Sequence, residues 1–161
     1  MEQMLGSLKN VLEDEKRIYE ALLELAGRKK DVLVKGDVAA LEVITQEEMG
    51  RISKLKSLEK ARQAAQNALN LEENSFEGLL SSVGEKLRTE FTQLRLQLSQ
   101  VIQKLADMTE INRKLIYSQL EYTSFCMEVL TRKVHMGETY GNSGHISEDN
   151  SARFTLVDQS V

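Results

Sequence analysis

His135, His145 and Cys126 are the side chains of this sequence best suited to acid–base, metal or nucleophilic chemistry. Their spacing gives them little to work with. His135 stands where helical periodicity ends, His145 lies in the Gly/Ser/Asn-rich stretch beyond it, and Cys126 is alone on an amphipathic segment. His145-x-x-Glu148 is the nearest approach to a metal-ligand pair, but no periodic element is there to hold it rigid. No Glu-x-x-His pair of the di-iron bundle type occurs, and neither G-x-x-x-x-G-K-[ST] nor G-x-G-x-x-G follows a strand pattern. The expectation is no catalytic residue, no metal and no cofactor: the chain is not expected to be an enzyme.

The chemistry left to such a chain is recognition, so the elements that would carry it come next. The 161 residues contain no proline and no tryptophan, where average usage would supply roughly 8 prolines. That points to long uninterrupted helices and an all-α fold. The 21 basic and 25 acidic residues nearly cancel and are interspersed, which describes a solvated surface and argues against nucleic acid as a partner. Charges interrupt every apolar stretch before the roughly 18 residues a spanning helix needs, so no membrane insertion is expected. With one cysteine and no leader pattern, the chain reads as cytoplasmic.

Met4, Val11, Ile18, Leu25 and Val32 form one heptad row, and Leu5, Leu12, Tyr19, Ala26 and Leu33 form the row beside it. They predict a helix over about 3–34. Gly36 suits a left-handed helix end and Asp37 suits the cap of the next helix, over about 38–69. Leu41, Ile44, Ile52, Leu55, Leu58, Ala65 and Leu69 form the inner face of that second helix. Two arms of about 32 residues joined by so short a connection must run antiparallel. A short helix is expected over 75–83, and Leu87, Leu94, Val101, Met108, Leu115, Tyr122 and Val129 then predict a third long helix over about 85–135. Residues 1–136 read as one helical domain and 137–161 as a flexible acidic tail, with four acidic residues against Arg153.

A hairpin of this length covers about two thirds of the third helix. The expected architecture is an elongated antiparallel three-helix bundle or coiled-coil hairpin with a protruding third helix. Its last part still carries Leu115, Tyr122, Phe125, Cys126, Val129 and Leu130 on one side, an apolar stripe that suggests a partner surface. Self-association, or cover by the tail, is the other reading of the same stripe. Glu15, Lys29, Glu48, Arg62, Asn112 and Gln119 fall at inward positions. The charged ones are expected to reach water along the bundle edges, and Asn112 to set register or sit at the rim.

Leu33-Val34-Lys35-Gly36-Asp37 between two long amphipathic helices resembles the helical hairpin of FlgN-type flagellar export chaperones. So does Ile111-Asn112-Arg113-x-Leu115-Ile116 late in the third helix, followed by Leu120, Tyr122 and then Thr139-Tyr140-Gly141-x-x-Gly144. The resemblance covers most of the chain in order and implies a cytoplasmic, non-enzymatic chaperone of type III flagellar export. It would hold the hook-associated proteins of the hook–filament junction before secretion and dock on the cytoplasmic domain of the export gate. By position, the resemblance puts Leu115, Tyr122, Phe125, Val129 and Leu130 in the client surface and makes Tyr140 the gate contact. The acidic tail after Gly144 has no counterpart. A monomer is favoured, and a self-associating coiled-coil adaptor without a secretion client is the alternative.

Overall fold

The apolar rows of the first segment wind into α1 (Glu2–Lys35), 34 residues long. The computed structural model describes the backbone of residues 2–69, 78, 80 and 83–137, and the side chains of the same residues from 3 to 132. Gly36 takes φ 69°, its N–H donates to the Leu33 carbonyl at 3.2 Å, and the Asp37 N–H donates to the Val32 carbonyl at 3.2 Å. This pair of crossed bonds satisfies two otherwise orphaned helix-end carbonyls and requires a left-handed residue, which glycine adopts without strain. Asp37 also opens α2 (Val38–Ala68): its carboxylate accepts from the Ala40 N–H at 3.0 Å. Two residues therefore end one helix and begin the next.

The third long helix, α3 (Glu85–Gly137), spans 53 residues. Gly84 stands just before it, and its carbonyl accepts from the Arg88 N–H at 3.0 Å. Most of the short helix expected over 75–83 lies outside the described residues; Gly78 and Leu80 are helical. The expected tail, 137–161, lies outside them apart from Gly137, which is the last residue of α3. By compactness the chain divides into residues 1–121 and 122–161.

In the first unit the directions of the helices follow from their cross-links. Arg28 pairs with Glu47 at 3.3 Å, Lys29 with Glu48 at 2.7 Å and Arg62 with Glu15 at 3.2 Å. Moving back along α1 means moving forward along α2, so the two are antiparallel. Lys9 meets Glu90 at 2.6 Å and Lys16 meets Gln97 at 2.8 Å, with an offset of 81 residues in both cases. The Asn112 and Gln119 amides reach the Ala26 and Leu33 carbonyls at an offset of 86. α1 and α3 are therefore parallel, and α1 is the helix against which both others are braced.

Burial follows the same division. Leu5, Leu8, Val83 and Phe91 close one end of the bundle, with Leu12, Ala65, Leu69, Leu80 and Leu87 packed against them. Farther along α1, Leu22, Leu25, Ala26 and Leu33 are buried, whereas α2 buries only Ile44. Ile52, expected on the inner face, is 43% exposed. The charged inward residues do not simply reach water either: Glu15 meets Arg62 and Lys29 meets Glu48 across the α1–α2 interface. At a partly dry seam, an ion pair satisfies what burial would otherwise leave unsolvated.

Candidate functional site

Three features of the described residues stand out chemically. The first is a groove of about 470 Å³ in the first unit, walled by Ile52 and Leu55 of α2 and by Leu98 and Ile102 of α3, with Leu12 and Tyr19 of α1 on its floor. Glu15 and Arg62 also line it. Burial raises the Glu15 carboxyl above the usual range, against the opposing pull of the Arg62 guanidinium, and burial likewise raises the Tyr19 hydroxyl. Glu59 also lines the groove and adds to the upward push on Glu15, but the Glu15 carboxylate accepts from Arg62 at 3.2 Å, so the shift belongs to a structural pair and not to an acid–base device.

The second feature is Asn112. It is buried, its amide N–H donates to the Ala26 carbonyl at 2.8 Å, and its own Oδ1 has no hydrogen-bond partner among the described residues. An asparagine between two helices costs stability but penalises every other alignment, because a shifted register would orphan its N–H as well. Gln119 repeats the device one heptad on, at 3.4 Å from the Leu33 carbonyl.

The third is the apolar side of α3. Leu115 lies in the first unit and is half-buried there. In the second unit Tyr122, Phe125, Val129 and Leu130 are 67%, 63%, 38% and 60% exposed. Tyr122, Phe125 and Val129 share one helical face by their spacing, and Leu130 lies farther round. Sequence reasoning passed over Met127, which is 57% exposed in the same stretch. The signal was available: Met127 and Leu130 follow Thr123 at steps of four and three, a second heptad row beside the first. Tyr122 is linked by hydrogen bond to Cys126 one turn on, which holds its hydroxyl above its ordinary value. Glu128 and Arg132, 2.6 Å apart, neutralise each other on the opposite side. Tyr140 lies outside the described residues.

What this unit can do chemically is offer apolar area to water. Among the described residues no group of His, Cys, Asp and Glu is placed to hold a metal ion, and no helix is long and apolar enough to cross a membrane. No curated protein and no solved structure shows significant similarity to the chain. Residues 1–148 match the family model described as FlgN protein. With a helical bundle, a long apolar helix face left in water and a match over nearly the whole sequence, the chain belongs to the FlgN family of flagellar export chaperones.

Proposed function

We propose that this protein holds the apolar terminal segments of hook-associated proteins on the exposed face of α3, around Tyr122, Phe125, Val129 and Leu130, with Leu115 continuing the row. Bound there, a client terminus that is disordered when free folds as a helix alongside α3 and is kept from assembling early. The observation that carries this reading is the row of large apolar side chains standing in water in the second unit. Soluble chains seldom leave such a row uncovered without a partner to meet it. The work is done in the cytoplasm, by a monomer, and the loaded chaperone passes to the cytoplasmic domain of the export gate through Tyr140. A tyrosine offers a large contact area and a hydroxyl at low ordering cost, which suits a second and weaker docking event.

The test uses the purified chain and a hook-associated protein of the same organism. Val129→Ser combined with Leu130→Ser abolishes client capture while the melting curve barely moves, since both side chains already face water. Tyr140→Ala leaves client affinity unchanged and weakens binding to the export-gate domain, read by calorimetry on each partner separately. An obligate dimer in light scattering, with no client bound, would replace this reading by a self-associating adaptor.

A further inference from the structure

Within the first unit α3 is held to α1 unevenly. Its inner row steps by four and three from Leu87 to Gln119, so the periodicity alone promises the same grip throughout. Burial does not follow it. Phe91 and Leu94 are 1% and 6% exposed, and Phe91 packs with Leu5, Leu8 and Val83 into the closed end of the bundle. Farther down the same row, Leu98, Val101, Leu105, Met108 and Leu115 are only half-buried. Among residues 95–121 the one buried side chain is Asn112, a polar group with an unpaired acceptor.

The two seams of α1 also differ in chemistry. α2 is tied to α1 by ion pairs spread along it, through Glu47, Glu48 and Arg62. On the α3 side the Lys9–Glu90 pair, at 2.6 Å, stands beside the Phe91 anchor, whereas farther down the amides of Asn112 and Gln119 reach the Ala26 and Leu33 carbonyls. Neither carbonyl depends on those amides. Ala26 lies inside α1 and keeps its helical donor, and Leu33 keeps the Gly36 N–H at 3.2 Å. On separation both amides are solvated, and Asn112 Oδ1, unpaired among the described residues while the seam is closed, gains a partner from water. Opening this stretch therefore gives up apolar contact but orphans no polar group.

We infer that α3 is a two-part strap, fixed to α1 through Val83, Phe91 and Leu94 and releasable over residues 95–121, with Asn112 as its latch. Closed, the strap keeps Leu105, Met108 and Leu115 against α1; released, it turns that row to water while the anchored end stays folded. Openings of this kind fall between end-fraying and global unfolding in free energy, and they occur where buried apolar contact is sparse.

Thiol labelling of the full chain tests the strap, with Cys126→Ser removing the natural thiol. Ala26→Cys places a thiol under the strap and Leu8→Cys one under the anchor, at positions 3% and 2% exposed. With excess DTNB, Ala26→Cys should react at least tenfold faster, although shortening Leu8 loosens its own site more. If Leu8→Cys disturbs the fold by circular dichroism, Val83→Cys, a nearly isosteric change in the same cluster, supplies the anchor's rate. Adding Asn112→Leu should slow Ala26→Cys about fivefold, because it removes the unpaired acceptor from the closed state, and leave the anchor's rate as it was. Equal rates at strap and anchor would mean that the unit opens as a whole and would overturn the inference. An Ala26→Cys rate indifferent to Asn112→Leu would overturn it too, by assigning the opening to α2.

Discussion

Asn112 sets a sharp test of how α1 and α3 are aligned. It is 4% exposed, its amide donates to the Ala26 carbonyl at 2.8 Å, and its Oδ1 is unpaired among the described residues. Such a hydrogen bond contributes about 1 kcal/mol net, while an unpaired buried acceptor costs about 1–3 kcal/mol. Asn112→Leu removes both. The Ala26 carbonyl sits inside α1 and keeps its helical donor, so nothing is orphaned by the change. Even after about 1 kcal/mol for fitting a bulkier side chain, the Leu variant should match the natural chain or exceed it by about 1 kcal/mol. Asn112→Asp reverses the sign, because a buried carboxylate would face a carbonyl with no proton to share. The expected loss is about 3 kcal/mol or more at neutral pH. Burial raises the folded-state pKa of the new carboxyl above its unfolded value, so the penalty is complete above the folded pKa. It disappears as pH falls toward the unfolded one, where the protonated acid can again donate to Ala26. Urea titrations followed by helical circular dichroism, at several pH values, measure all three proteins. A Leu variant weaker by more than about 1 kcal/mol, or an Asp variant as stable as the natural chain at neutral pH, would refute this account of the α1–α3 seam.

Three other substitutions separate backbone from side-chain effects. Gly36→Ala should cost about 1–2 kcal/mol in a thermal or urea melt although nothing lies within 4 Å of the added methyl, because φ 69° strains any L side chain; Gly50→Ala, in an open position within α2, should instead gain about 0.5–1 kcal/mol. Arg62→Ala leaves the Glu15 carboxylate without its cation and raises a pKa that burial already holds high, so the variant's deficit should be largest above that range and shrink as pH falls through it; a deficit independent of pH would show that Arg62 acts by packing alone.

Much of this architecture was legible because its signals are local. Gly36 and Asp37 announce a helix end and a helix start by residue type, and the two heptad rows of α1 mark a face that both other helices use. α2 was harder: it rests on α1 along a narrow edge, so Ile52 satisfies a helical period and still stands in water beside the groove. Glu15, Lys29, Glu48 and Arg62 could each be placed inward from spacing, but which would meet which depends on an alignment that one helix's periodicity does not contain. The apolar row through Tyr122 and Val129 was visible as a heptad row without a cover. The second row, through Met127, is less legible because the polar Thr123 interrupts it.

The bracing of both other helices on α1 also sets an order of assembly. Lys29 and Glu48 are 19 residues apart in the chain, whereas Lys9 and Glu90 are 81 apart. Closing the longer loop costs roughly 1 kcal/mol more in chain entropy, and during synthesis it must wait for residues not yet made. The α1–α2 hairpin therefore has time to form before α3 emerges from the ribosome, leaving one side of α1 open until α3 zips along it in parallel. The apolar face of residues 122–132 is made last, when α1 and α2 have already had time to cover each other along the side they share.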